Sequence, residues 1–428
     1  METNTDLIII GAGPGGYRAA EYAAKKGLKV VIIERDDVGG TCLNRGCIPT
    51  KTYVHAASFD EAVERQQQVV AQLRGGVETL LRHPNITLVR GEARFLSPSV
   101  VSVCSDSDAA QETLTAPNII IATGSTAKML PLPDIKTDPR VVTSTELLQL
   151  RTLPRRLAIV GAGVIGMEFA SVFRRFGSEV TVIEYLKECL PMLDSDIAKR
   201  LRKLMEKLGI TFRMKTAVER LSDIDADVIL MATGRRPCTD GLNLEALGIQ
   251  PGRDGSIPVD DHYRISGLQS QSTHLYAIGD VNGRQMLAHA AEMQAKVVVD
   301  RIVNEESFSN EESFSTVPAA IFTTPEAACV GPSEDALKAN GATYECRKAF
   351  WRANGKALTM GETEGMLKLL SEPDAGRILG CHAYGAHAAD IIQEVSSLMC
   401  LGATVGQLRY MVHIHPTLGE ILLAAAEQ

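Results

Sequence analysis

Two cysteines five residues apart are the residues of this 428-residue chain whose types and spacing point most directly to chemistry. Cys42 and Cys47 lie in the segment GGTCLNRGCIPTK, and Lys51 follows the second cysteine by four residues. A thiolate is the reactive form of cysteine, and a nearby cation or a helix start lowers the pKa of the thiol. On a helix, Lys51 would lie on the same face as Cys47. The segment therefore predicts a cycling redox pair, with a partial metal site as the alternative.

A second candidate group lies in the segment HIHPTLGE, which contains His415 and Glu420. Imidazole titrates near neutrality, so His415 could take a proton from a thiol and later return it. A carboxylate behind the ring would fix its tautomer and stabilise the cation. Taken alone, a histidine in a His-x-His run is more often structural, so the residues leave both interpretations open. His413 is interpreted as the non-catalytic neighbour.

An internal repeat supplies elements that could position this chemistry. A pattern of strand, glycine-rich turn, helix, strand and glutamate occurs over residues 7–34 and again over residues 157–184, at an offset of 150. In both copies the glutamate follows the first glycine by 23 residues, the spacing at which a carboxylate reaches an adenosine ribose. Glycines let the backbone approach a pyrophosphate, and the start of the helix favours its negative charge. The repeat therefore predicts two dinucleotide sites.

The two copies of the repeat predict which residues bind the dinucleotides. The first copy contributes Gly11, Gly13, Gly16 and Glu34, and the second contributes Gly161, Gly163, Gly166 and Glu184. Glu184 would repel a 2′-phosphate, which favours NAD over NADP at the second site. The matching segments 118–124 and 227–234 are each expected to be the strand that closes its own nucleotide-binding domain. Residues 87–115 are expected to form a β-meander.

Composition and charge exclude several other classes of protein. The 44 Lys and Arg against 52 Asp and Glu give a net charge of −8, and no basic block is present, so we expect no nucleic-acid binding. The first strand begins at Leu7, which leaves no room for a signal peptide. No apolar run approaches the ~18 residues of a membrane helix. We therefore expect a cytoplasmic protein without a membrane contact, and we interpret the seven other cysteines as incidental, with no metal site.

Over nearly its full length the sequence resembles the pyridine nucleotide-disulfide oxidoreductases, and within them the dihydrolipoamide dehydrogenases. The motifs that carry this resemblance are residues 11–16, 42–51, 161–168, 232–237, 276–280 and 413–420. The resemblance implies an α/β fold with two Rossmann-like dinucleotide-binding domains, for FAD and NAD, plus a C-terminal α+β dimerisation domain. The implied limits are 1–153 for the FAD-binding domain with the redox disulfide, 154–257 for the NAD-binding domain, 258–316 for a central domain that completes the FAD site, and 317–428 for the dimer-interface domain.

The resemblance also implies a role for each site residue. Cys42 would exchange with the substrate, Cys47 would face the flavin, and Lys51 would pair with Glu168 beside the flavin. His415, oriented by Glu420, would act as the base and come from the partner subunit of a homodimer. The remaining implied cofactor contacts are Thr41, Thr123, Gly124, Ser125, Asp280, Met286, Leu287, Ala288 and His289 for FAD, in addition to Lys51, and Ile165 and Gly234 for NAD. His289 is interpreted as a residue of a helix start and not as a catalyst.

The activity implied is oxidation of dihydrolipoamide by NAD+, with a lipoyl-bearing protein of a 2-oxo acid dehydrogenase complex or of the glycine cleavage system as partner. The alternatives are another NAD(P)H-dependent disulfide, mercuric or quinone reductase of this family, or a non-catalytic flavin-binding subunit. Glutathione-type reductases carry arginines where this chain has Glu184 and Tyr185, and the tail lacks the cysteine pair of a mercuric reductase. Arg45, between the two cysteines, is expected to favour the thiolate and make the couple less reducing.

Overall fold

The structure is a computed structural model, and it describes residues 5–104, 112–266, 273–304 and 316–428. The chain forms two compact units, each made from two stretches. The first unit contains Met1–Lys128 and Gly234–Ser309, and the second unit contains Met129–Thr233 and Asn310–Gln428.

The first stretch of the first unit contains the glycine-rich turn and both cysteines. Its elements are β1 (Leu7–Ile10), α1 (Pro14–Lys25), β2 (Val30–Glu34), α2 (Gly40–Arg45), α3 (Cys47–His55), α4 (Phe59–Leu81), β3 (Ile86–Arg90), β4 (Glu92–Ser97), β5 (Val100–Cys104), β6 (Glu112–Thr115), β7 (Asn118–Ile121) and β8 (Ser125–Ala127). Strands β1 and β2 are fully buried apolar runs, as expected for a parallel sheet covered on both faces. The expected meander is only partly correct, because β3 pairs in parallel with β2 and only β4, β5 and β6 form an antiparallel sheet.

The first stretch of the second unit repeats this arrangement. Its elements are β9 (Val141–Val142), α5 (Ser144–Leu147), β10 (Arg156–Val160), α6 (Val164–Phe176), β11 (Glu179–Ile183), α7 (Ser195–Lys207), β12 (Thr211–Arg213) and β13 (Val228–Met231). The five strands form a parallel sheet in the order β12-β11-β10-β13-β9. Helix α6 ends where Gly177 takes a left-handed conformation, so the chain can turn back into β11.

The chain then returns to the first unit and completes its sheet. The elements of this stretch are β14 (Arg235–Pro237), β15 (His274–Ala277) and α8 (Ala288–Ile302). Strand β15 pairs in parallel with β7, which gives the order β15-β7-β1-β2-β3. Strand β14 pairs antiparallel with β8. Ligands of open α/β sheets bind beyond the carboxyl ends of the strands, so both sheets present their glycine-rich turns at the edge where a dinucleotide is expected.

The last stretch forms an antiparallel sheet with helices packed against one face. Its elements are β16 (Ala319–Ile321), β17 (Ala327–Val330), α9 (Glu334–Ala339), β18 (Glu345–Phe350), α10 (Gly355–Met360), β19 (Met366–Ser371), β20 (Ile378–Tyr384), α11 (Ala388–Cys400), α12 (Val405–Leu408) and α13 (Glu420–Ala426). The sheet order is β16-β17-β20-β19-β18. Its core contains Trp351, Leu369 and Ile392, each with 0% exposure. Among the described helices, none combines the length and the apolar character that a membrane span requires.

A buried ion cluster lies within the second unit. The Nζ atom of Lys368 on β19 lies 2.7 Å from both carboxylate oxygens of Asp194 and 2.5 Å from Oε2 of Glu334. The side chains of Lys368 and Asp194 are 2% and 1% exposed. Asp194 also caps the start of α7, and its backbone N–H donates to Nδ1 of His382 at 3.0 Å. The cluster therefore joins the loop before α7 to the antiparallel sheet.

Candidate active site

The first glycine-rich turn connects β1 to α1. Gly11 has a φ of +101°, and a Cβ on Gly16 would overlap the carbonyl oxygen of Gly11. A side chain is excluded at both positions, and the first backbone N–H groups of a helix have no partner within it. Glu34, at the end of β2, is 9% exposed. Its Oε2 accepts a hydrogen bond from Ala12 N at 2.6 Å, and its Oε1 accepts one from Asp36 N at 2.8 Å.

The second turn, between β10 and α6, has the same local structure. Gly161 has a φ of +108°, and a Cβ on Gly166 would overlap its carbonyl oxygen. Glu184 accepts from Ala162 N at 2.6 Å and from Leu186 N at 2.7 Å. Every atom in these contacts corresponds to an atom 150 residues earlier. Both turns therefore form a narrow cradle of backbone beside a helix start, which fits a dinucleotide pyrophosphate.

The residues expected beside the flavin meet within the first unit. Thr123, after β7, donates its hydroxyl to the carbonyl oxygen of Cys238 at 2.6 Å. Ser125 donates its hydroxyl to Asp280, and Arg235 Nε donates to the same Ser125 oxygen at 2.7 Å. Arg235 lies in the sequence motif around Gly234, but the motif predicted no role for it. Its position directly after a predicted cofactor residue was the only sequence signal that it could belong to the site.

A buried amide holds the turn that carries Asp280. Oε1 of Gln294, on α8, accepts from Gly279 N at 2.7 Å and from Asn282 Nδ2 at 2.9 Å, and Gln294 is 1% exposed. Helix α8 begins immediately after Leu287, so the predicted segment Met286 to His289 does lie at a helix start. Its backbone N–H groups are available as donors, as the flavin site requires. Sequence patterns missed Gln294, because an amide inside a helix has no local signature.

The two cysteines lie on consecutive short helices. Cys42 is in the middle of α2, and Cys47 is the first residue of α3. Gly46 separates the two helices, and a Cβ there would lie 2.9 Å from the carbonyl oxygen of Thr41. Lys51 follows Cys47 by one helical turn, as predicted. Thr41 lies in the first turn of α2. Neither cysteine is fully buried, and the structure contains the pair as free thiols.

The thiols of the pair are coupled to each other. The hydrogen bond to the Cys47 thiol raises the pKa of the Cys42 thiol, burial raises it further, and the positive charge of Lys51 acts in the opposite direction. Two thiols in direct contact lose their protons as a pair, because the first thiolate suppresses ionisation of the second. The start of α3 favours negative charge at Cys47. The arrangement can therefore hold one thiolate and one thiol, the charge state that thiol–disulfide exchange uses.

The helix that carries Cys42 is anchored from α4. Asn44 Nδ2 donates to the carbonyl oxygens of Val38 at 2.9 Å and Gly40 at 3.0 Å, and its Oδ1 accepts from Arg74 Nε at 2.9 Å. The sequence analysis did not identify Arg74. Arg45 Nη2 lies 2.9 Å from Oδ2 of Asp36, and this carboxylate offsets the positive charge that was expected to act on the thiols.

The predicted acid–base pair forms within the second unit. Nδ1 of His415 lies 2.9 Å from Oε1 of Glu420, and Oε2 of Glu420 accepts from Thr417 N at 2.8 Å. The Thr417 hydrogen bond, and after it the one with His415, lowers the pKa of Glu420. An ionised Glu420 selects the tautomer with a proton on Nδ1, which leaves Nε2 as a base. His413 has its own carboxylate, with Nε2 at 2.9 Å from Glu394 Oε1.

The His415 segment is strongly exposed. The His415 side chain is 79% exposed, and the three alternate apolar residues before it are 88%, 99% and 79% exposed: Tyr410, Val412 and Ile414. Glu168 belongs to the same unit and is 3% exposed. Its Oε1 accepts from Phe322 N at 2.9 Å. Ile165 and Glu168 lie on α6, directly after the second glycine-rich turn. Lys51 belongs to the first unit, so its pairing with Glu168 stays a prediction.

Comparisons with known proteins agree with this geometry. Residues 5–295 match the family described as pyridine nucleotide-disulphide oxidoreductase, and residues 317–426 match the dimerisation domain of that family. The chain belongs to the pyridine nucleotide-disulphide oxidoreductases. The α/β fold and the predicted family are therefore confirmed. FAD and NAD(H) are the cofactors of this family, and the two cradles described above fit them.

Individual relatives cover almost the whole chain. Dihydrolipoyl dehydrogenase 3 of Haloarcula marismortui is 35% identical over 470 aligned residues, which include 100% of this chain and 97% of that protein. Dihydrolipoyl dehydrogenase of Staphylococcus aureus is 36% identical over 462 residues, with 99% and 96% covered. The Cu(II) complex of the HOCl-induced flavoprotein disulfide reductase RclA from Escherichia coli is similar in structure, with a TM-score of 0.92, 31% identity and 99% of each chain covered.

Proposed function

We propose that this oxidoreductase oxidises protein-bound dihydrolipoamide to lipoamide with NAD+, through FAD and a disulfide between Cys42 and Cys47. The observation that carries the proposal is the direct hydrogen-bond contact between the two thiols, with one of them at a helix start and Lys51 one turn away. The relatives at 35% and 36% identity, both dihydrolipoyl dehydrogenases, support the same substrate.

The proposed exchange starts from the Cys42–Cys47 disulfide. His415 takes the proton of one substrate thiol, and the resulting thiolate attacks Cys42, which breaks the disulfide and releases Cys47 as a thiolate. The second substrate sulfur then attacks its own neighbouring sulfur, and the lipoamide disulfide forms. Cys42 leaves and takes the proton held by His415, which then accepts the proton of the second substrate thiol. Two electrons and two protons thus pass from substrate to protein. FAD, when bound, supplies the two-electron exchange between the reduced cysteines and NAD+.

In this proposal, two separate groups of residues form the two cofactor sites. FAD would be held by the first cradle, by Thr41 and Lys51, by the segment from Thr123 to Ser125, by Asp280 and by the helix start after Met286. NAD would be held by the second cradle with Ile165, Glu184 and Gly234. Both Glu184 oxygens accept backbone hydrogen bonds, so the carboxylate is fixed where it would repel a 2′-phosphate. We therefore propose NAD as the preferred nucleotide.

We also propose a homodimer in which His415 serves the partner's cysteines. The family's dimerisation domain and the exposed row of Tyr410, Val412 and Ile414 support this arrangement. Apolar side chains of this size are normally covered, and a second copy would cover them. The domain limits at residues 153, 257 and 316, a cytoplasmic location and a lipoyl-bearing partner belong to the same proposal.

A second candidate function is NAD(P)H-driven reduction of a disulfide. The observation that favours it is the structural similarity to the flavoprotein disulfide reductase RclA, with a TM-score of 0.92 over 99% of each chain. In this function the electrons would flow from the nucleotide to Cys42 and Cys47 and then to the acceptor.

Anaerobic steady-state assays separate the two candidates. The forward assay combines dihydrolipoamide with NAD+ or NADP+, and the reverse assay combines NADH with lipoamide, oxidised glutathione or Hg(II). We expect the highest kcat/KM for dihydrolipoamide with NAD+, loss of that turnover in Cys42→Ser, and normal turnover in Cys104→Ser, which removes another exposed thiol. A preference for another acceptor with NADH would reject the first candidate, and a preference for oxidised glutathione would favour the second.

A further inference from the structure

Arg235 contacts two residues of the expected flavin site, Ser125 and Asp280, which lie far apart in the sequence. It is the first residue of β14 and pairs with Ala127 at the end of β8, and its side chain extends to Ser125 at the start of β8. Its Nε donates to Ser125 Oγ at 2.7 Å, and its Nη2 donates to the Ser125 carbonyl oxygen at 2.6 Å. The planar guanidinium thus contacts a single residue through two parallel donors, a geometry that lysine cannot reproduce.

The hydrogen bonds form a relay with a fixed direction. Arg235 can only donate, so the Ser125 hydroxyl must accept from it and give its single proton to the carboxylate of Asp280. Arg235 Nε also lies 3.8 Å from Oδ2 of Asp280, and the two side chains are only 18% and 25% exposed. In this partly buried setting the relay fixes the orientation of the Asp280 carboxylate.

Arg235 keeps its positive charge in this partly buried setting. Burial lowers the pKa of Arg235, while the negative charge of Asp280 acts in the opposite direction. Arginine stays protonated in proteins. Its hydrogen bonds to Ser125 are therefore charge-assisted.

We propose that Arg235 is a positioning residue for the flavin site: through Ser125 it holds Asp280 in the orientation that binds the cofactor. The inference rests on the role proposed above for Asp280. It is independent of the substrate, because no contact of Arg235 involves the dithiol that the enzyme oxidises.

The test uses four variants of the holoprotein: Arg235→Gln, Arg235→Lys, Ser125→Ala and, as matched control, Arg236→Gln. Arg236 is the adjacent arginine, but it forms an exposed ion pair with Asp240 at 2.7 Å. The readout besides activity is the fraction of FAD released on dialysis.

Arg235→Gln is expected to release FAD about tenfold more readily, since a charge-assisted hydrogen bond is lost. Ser125→Ala should also weaken FAD retention, because the relay is broken. Arg235→Lys should lose retention as well, because the charge remains while the paired donors do not. Arg236→Gln should match wild type.

The Arg235 inference is overturned if Arg235→Gln matches Arg236→Gln in FAD retention. Asp280→Asn separates this failure from a failure of the underlying assignment. If Asp280→Asn releases FAD while Arg235→Gln behaves as wild type, only the role of Arg235 is wrong. If Asp280→Asn also retains FAD, the assignment of Asp280 is wrong. Circular dichroism of each variant checks that it is folded.

Discussion

Nδ1 of His415 lies 2.9 Å from Oε1 of Glu420, while the second oxygen of this carboxylate accepts the backbone N–H of Thr417. Glu420 is thus held from two sides, and its lowered pKa keeps it ionised. The dyad belongs to an exposed segment, and the five-residue separation of its members means that it forms locally. A base that is complete within its own segment can serve a second subunit without being rebuilt on association.

Loss of the dyad should reduce turnover without affecting flavin binding. His415→Gln is expected to lower kcat for dihydrolipoamide by about 10²–10⁴-fold, the usual contribution of a positioned acid–base residue. Glu420→Gln should lower kcat less, because the imidazole remains but its tautomer is no longer fixed. Steady-state kinetics with His413→Gln as control checks this, since His413 has a separate carboxylate partner. Equal losses in His413→Gln and His415→Gln would contradict the assignment.

One added methyl group should disrupt the second cradle and leave the first cradle intact. In Gly166→Ala the new Cβ overlaps the carbonyl oxygen of Gly161, so the turn must open. We expect NADH to reduce the flavin at least about 100-fold more slowly, equivalent to about 2.7 kcal/mol, while dihydrolipoamide still reduces it at the normal rate. Stopped-flow absorbance measures both half-reactions. Gly76→Ala, a helix position with open space around it, is the control. Normal reduction by NADH in Gly166→Ala would contradict the proposed NAD site.

These two sites show what the sequence could and could not predict. The strand, turn and helix of each copy were predictable, because glycine spacing and apolar runs are local signals. In the second copy the predicted helix spans Val164–Phe176. The relay from Arg235 to Ser125 and Asp280 could not be predicted. Ser125 is 110 residues from Arg235 and 155 residues from Asp280 in the sequence, and hydrogen bonds between such distant residues leave no periodic pattern. The strand Ile86–Arg90 was misplaced for a related reason, because its alternating residues also fit an antiparallel edge.

The buried ion cluster of the second unit should contribute strongly to stability. Lys368→Met leaves the carboxylate of Asp194, which is 1% exposed, without its cation. We expect the free energy of unfolding to fall by about 3–5 kcal/mol, the usual cost of an uncompensated buried charge. Urea unfolding measures this value. Lys348→Met removes a half-exposed lysine 3.7 Å from Asp196 and should cost less than about 1 kcal/mol. Equal effects of the two substitutions would show that the cluster carries no special stability.

The same cluster should make stability depend on pH in the acid range. Hydrogen bonds from Lys338, and after it from Lys368, lower the pKa of Glu334 from 4.5 to about 2. A carboxyl with a lowered folded-state pKa stabilises the protein above its unfolded value and loses that contribution as the pH falls through the folded value. The difference in unfolding free energy between wild type and Glu334→Gln should therefore be constant above about pH 5 and decrease from about pH 4.5 towards 2. Urea titrations at several pH values check this, and a difference that grows with acidity would contradict it.

The central claim is that Cys42 and Cys47 form the disulfide that passes electrons between the substrate and the nucleotide. Differential alkylation with mass spectrometry of the holoprotein, before and after anaerobic reduction by NADH, tests it most directly. We expect that both cysteines resist alkylation in the oxidised protein, that both are alkylated after reduction, and that the labelling of the other seven cysteines does not change. Unchanged labelling of Cys42 and Cys47, or an NADH-dependent change at another pair, would contradict it.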